Sequence, residues 1–116
     1  MKAVICPLSI VPVRKEPSDR SEMVTQWLFG ETAEVLERLP NWTKLVFDHD
    51  GYEGWVDNKQ IAVCTTPNNE PDLRVVDLSA IVDLGERQVY LPYGSVLPFY
   101  TDGLITWQDR RVPVEA

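Results

Sequence analysis

The chain has 116 residues, 44% of them hydrophobic and 25% charged, which is the composition of a folded globular domain rather than a disordered segment. Its net charge of −7 is spread over both halves. An acidic chain without a basic cluster lacks the footprint of a nucleic-acid binder and the polybasic signal for an anionic membrane. Apolar runs are also too short for a membrane-spanning helix.

Short apolar runs separated by turn residues predict an all-β chain. The N-terminal stretch Met1–Arg14 is apolar but broken by Pro7 and Pro12, with Arg14 and Lys15 following closely. It reads as the first strands of a domain rather than a signal peptide, and on that reading the chain is expected to stay in the cytoplasm. Strands are expected at Val11–Arg14, Met23–Leu28, Thr32–Leu39, Thr43–Phe47 and Glu53–Val56. Asp48-His49-Asp50-Gly51 has the chemistry of a hairpin turn, and Pro40-Asn41 that of a tighter connection. A single 3₁₀ turn over Asp57–Gln60 leads into a short strand at Ile61–Cys64. Residues 1–64 therefore form a first small barrel.

Residues 65–72 carry two prolines and no apolar side chain, and read as a linker. Residues 73–116 are β-like again. Strands are expected at Leu73–Asp77, Ala80–Asp83, Gln88–Leu91, Val96–Tyr100, Leu104–Trp107 and Arg111–Val114. So short a segment is expected either to pack on the first half or to be completed outside this chain. The stretch Arg110–Ala116 stops in mid-strand, as expected of a piece of a longer protein.

Chemistry-bearing residues are few. His49 is the one histidine, and Cys6 and Cys64 are the two cysteines. That set has neither zinc spacing nor a nucleophile–base context, so no cofactor, no metal and no catalysis are expected of this chain. Cys6 and Cys64 bracket the first half; a disulfide between them competes with two unpaired thiols, and the latter reading is favoured. His49, Asp48, Asp50 and Asp57 read as solvated turn residues. Aromatics are the remaining signal: Trp27, Phe29, Trp42, Tyr52 and Trp55 fall in one small unit.

Val13-Arg14, the Pro17-Ser18 loop, Thr25–Glu31, Trp42 and Gly51-Tyr52-Glu53-Gly54-Trp55-Val56 together resemble a bacterial SH3 domain (SH3b). More narrowly, they resemble the SH3b region of NlpC/P60 cell-wall peptidases of the γ-D-glutamyl-L-diamino-acid endopeptidase type. Val89–Pro98 resembles the second, divergent SH3b unit of such proteins. The resemblance implies an SH3-like barrel followed by a second SH3b-like unit. It also implies a non-catalytic region that positions murein peptides for a cysteine peptidase domain lying outside this chain. The implied partners are that domain in cis and a murein peptide with a free N-terminal L-Ala; the alternative is a stand-alone cell-wall- or protein-binding module. Carried onto this sequence, the implied ligand-binding residues are Glu31, Tyr52 and Trp55. Glu31 and Tyr52 are expected on one exposed end of the first barrel, tips facing across a shallow cleft. A surface Glu31 would contribute little to stability.

Overall fold

The computed structural model describes residues 3–64, 74–75 and 79–115. Residues 65–72, read as a linker, lie outside the described residues. The described chain is all-β, with one 3₁₀ turn at Asn58–Gln60. Among the described residues no helix is long and apolar enough to cross a membrane.

Seven strands make the first sheet: β1 (Ala3–Ile5), β2 (Ile10–Arg14), β3 (Met23–Leu28), β4 (Thr32–Arg38), β5 (Trp42–Phe47), β6 (Glu53–Asp57) and β7 (Ala62–Val63). Their spatial order is β3-β2-β6-β5-β4-β1-β7, so the ladder is antiparallel but does not close into a barrel. It instead wraps one core. Alternation explains the wrap: along β5, Thr43, Leu45 and Phe47 point inward while Trp42, Lys44 and Val46 do not. Val4, Val11, Val13, Trp27, Ala33, Leu45, Phe47 and Val56 fill that core, with Trp27 edge-on to Phe47. Thr43, the fully buried polar residue of β5, hands its hydroxyl to Asn58 Oδ1, and Asn58 Nδ2 donates to the carbonyls of Leu39 and Pro40. The 3₁₀ turn thereby fastens the β4–β5 connection.

Four further strands make the second sheet in the order β10-β11-β8-β9: β8 (Ser79–Asp83), β9 (Gln88–Pro92), β10 (Leu104–Trp107) and β11 (Arg110–Glu115). The β10–β11 hairpin turns on Gln108 and Asp109, both at positive φ as a type I′ turn demands. The strand expected at Leu73–Asp77 lies mostly outside the described residues, and among the described residues one expected strand is absent. Residues 96–100 form no strand; Val96 makes a single bridge with Arg74. The break has a cause: Phe99 takes a left-handed φ of 52°, and Arg111 ties the loop by donating to the carbonyls of Phe99 and Thr101.

This second sheet does not cover its own core. Val75, Ala80, Val82, Leu84, Val89, Leu91, Ile105, Trp107 and Val112 are joined there by Ile5 and Phe29 of the first unit. Phe29 stacks on Trp107 with ring centroids 4.8 Å apart. The seam is pinned as well by polar contacts: Val96 N–H donates to the Phe29 carbonyl at 2.8 Å, Arg87 donates to the Pro7 carbonyl at 3.0 Å, and the Ser9 hydroxyl donates to the Tyr90 carbonyl.

Cys6 and Cys64 are not joined in a disulfide. They sit past opposite ends of β1 and serve different cores, Cys6 the first and Cys64 the margin of the second. Burial pushes the Cys6 thiol up to about 12, with the nearby Glu31 charge adding to the shift. Cys6 is therefore a protonated, unreactive core residue at neutral pH.

Candidate functional site: a cleft at the seam

The turn from β3 into β4 builds one wall of a cleft between the two units. Gly30 sits at φ 81°, and a side chain there would point at the Val96 carbonyl oxygen only 2.4 Å away. Glycine thus permits both the turn and the close approach of the second unit. The turn is closed by Glu31 N–H donating to the Leu28 carbonyl and by Leu28 N–H donating to Glu31 Oε1 at 2.8 Å.

Glu31 is neither solvent-facing nor alone. Its side chain is 12% exposed, and Arg74 Nη1 meets Oε2 at 2.9 Å. The same guanidinium donates to the Gly94 carbonyl at 2.7 Å, and its Nη2 lies 3.3 Å from His49 Nδ1. The 48–51 hairpin supplies the opposite wall. Asp48 is held by the Thr32 hydroxyl at 2.6 Å, and Asp50 Oδ1 accepts from Tyr52 N–H at 3.0 Å. Asp50 is exposed and has no cation beside it among the described residues. The result is a cleft of about 250 Å³ with Gln26, Leu28, Glu31, His49, Asp50, Arg74 and Gly94 on its walls.

Of the residues singled out in the sequence, the cleft holds Glu31. Tyr52 leaves the same hairpin but is 44% exposed and does not line the cleft. Trp55 is 9% exposed on β6, paired in register with Arg14 and Lys44 and belonging to neither core. Two expectations change. Glu31 faces Arg74 rather than Tyr52, and its two strong hydrogen bonds give it weight in stability, since hydrogen bonds to charged groups contribute about 1.5–3 kcal/mol each. Arg74, His49, Asp50 and Gly94 enter the site unannounced. His49 and Asp50 look like any polar turn, and Arg74 is 43 residues from Glu31. No local sequence signal marks a contact of that range.

Two more depressions lie on the first unit. One, of about 490 Å³, runs between Asp19, Trp42, Asp57 and Lys59, over Pro40 and Asn41. The other, of about 380 Å³, follows β3 from Met23 to Leu28. Neither Tyr52 nor Trp55 lines them.

Comparison with known proteins agrees with this architecture. The family model of the bacterial dipeptidyl-peptidase SH3 domain matches residues 13–61. No curated protein matches the chain. Among solved structures, an NlpC/P60 family protein from Bacillus cereus ATCC 10987 superposes with a TM-score of 0.74 at 16% identity. The superposition covers 97% of this chain and 53% of the other, so this chain spans about half the length of that protein. The family match supports the bacterial SH3 reading of residues 13–61, and the superposition shows a fold shared with that protein.

Proposed function

With an SH3b region as the premise, we propose that this chain recognises murein peptides bearing a free N-terminal L-Ala and positions them for an NlpC/P60 cysteine peptidase domain in the same polypeptide. The observation that carries the reading is one cleft lined by Glu31, which is paired with Arg74, and by Asp50, which adds a second, unpaired carboxylate among the described residues. A free α-ammonium loses its hydration on binding and needs carboxylate acceptors in return. Two carboxylates against one guanidinium leave the cleft acidic, which suits that cation. Arg74 can meet the α-carboxylate that a γ-linked D-Glu leaves free, since a guanidinium matches carboxylate geometry. Tyr52, on the Asp50 hairpin, is available to parts of the peptide that project beyond the cleft. Trp55 would act at the margin of its small exposed surface.

The alternative, a free-standing binding module, draws on the larger depression beside Trp42. Kinetics separate the two. In the longer protein carrying the peptidase domain, Asp50→Asn and Glu31→Gln should each cut the preference for free over N-acetylated peptide by about tenfold or more, the equivalent of about 1.4 kcal/mol. Unchanged preference in both variants contradicts the proposed role of the cleft.

A further inference from the structure

We propose that the open edge of β3 takes up an extended peptide antiparallel to the strand, with the peptide's amino end at Asp50. The inference goes beyond recognition of an amino group, and its polarity rests on reading the cleft as an ammonium site. β3 is an edge strand of the first sheet. Alternation along an antiparallel pair decides which of its groups are used. Phe29 N–H donates to Ser9 on the β2 side, so Trp27 and Thr25 also turn their main-chain groups toward β2, opposite Val11 and Val13. Leu28 and Gln26 turn theirs away. Both groups of Leu28 are taken by Glu31. Those of Gln26, which stands opposite Pro12, have no partner among the described residues. An exposed, unpaired strand edge is a template for another strand.

The surface beside this edge is already grooved. The depression along Met23–Leu28 and the seam cleft share Thr25, Gln26 and Leu28, so one groove follows the strand into the acidic cleft. Charge then fixes the direction. β3 runs toward the cleft, so an antiparallel guest brings its ammonium to Asp50 and Glu31. A parallel guest would bring its terminal carboxylate to a cleft that holds two carboxylates against one guanidinium, the poorer match in charge.

The test uses the wild-type chain, isotope-labelled, titrated with the pentapeptide amide Ala-Thr-Val-Thr-Val-NH₂ and read by amide chemical shifts. Three modified peptides accompany it: N-acetylated, N-methylated at residue 2, and N-methylated at residue 3. A strand guest turns alternate amides toward the protein. One of the two adjacent methylations should therefore weaken binding on the order of tenfold while the other leaves it unchanged. The Gln26 amide should shift and become protected from exchange. Equal tolerance of both methylations, or no response at Thr25–Leu28 at millimolar peptide, overturns the strand proposal. Binding that survives acetylation yet alternates with methylation keeps the strand and removes the ammonium reading. Binding lost on acetylation with no alternation does the reverse. Shifts at Gln26 that follow protein concentration instead of peptide would identify a second copy as the occupant and overturn the proposal.

Discussion

Replacing Gly30 with alanine should lower the unfolding free energy by about 3–5 kcal/mol, among the largest effects of any single substitution here. Two costs combine. The residue sits at φ 81°, where an L side chain costs about 1–2 kcal/mol. The new methyl would also lie 2.4 Å from the Val96 carbonyl oxygen and 3.0 Å from Val96 Cβ. That backbone cannot retreat cheaply, because Val96 N–H is bonded to the Phe29 carbonyl at 2.8 Å. The seam between the units must open to make room. Gly51→Ala is the matched control: it has φ 73° but nothing within 4 Å of the added methyl. It should lose only the conformational part, about 1–2 kcal/mol. Denaturant titration of the three proteins measures the difference.

Trp107→Ala should cost a similar about 3–5 kcal/mol, the usual range for removing a buried large aromatic. Trp107 is 5% exposed and stacks on Phe29 at 4.8 Å with an interplanar angle of 23°. The loss falls on both units, because this ring pair is where the first unit enters the core of the second. A double-mutant cycle with Phe29→Ala should return a coupling of about 0.5–1.5 kcal/mol beyond the lost area. Denaturation should remain a single transition in the wild type, since a core shared across the seam ties the two sheets together.

That shared core is also where sequence reading reached its limit. β3 and β10 were legible residue for residue, because each short apolar-rich run is flanked by turn chemistry on both sides. The all-β class was legible from the same turn punctuation, and the SH3-like class through the resemblance carried by Thr25–Glu31 and Gly51–Val56. The strand expected at residues 96–100 was not, because Val96, Leu97 and Phe99 carry a strand-like composition while the Phe99 backbone turns left-handed under the hold of Arg111. Burial of Phe29 against Trp107 could not be assigned to a particular partner from spacing. The site divides likewise. Glu31 was visible through its family-like setting after Phe29-Gly30, whereas the arginine that neutralises part of its charge arrives from the other unit. A carboxylate that looks like a free surface group in one dimension is a largely covered, paired group in three.

The proposed capture of a free α-ammonium in the seam cleft is tested most directly by a binding titration. The labelled chain is titrated with L-Ala-γ-D-Glu-diamino-acid peptide, free and N-acetylated, while amide shifts are followed. The free peptide should move the resonances of Leu28, Glu31, Asp50 and Gly94, and acetylation should abolish the response. Equal shifts with both peptides, or shifts confined to Trp42, Asp57 and Lys59, would contradict it.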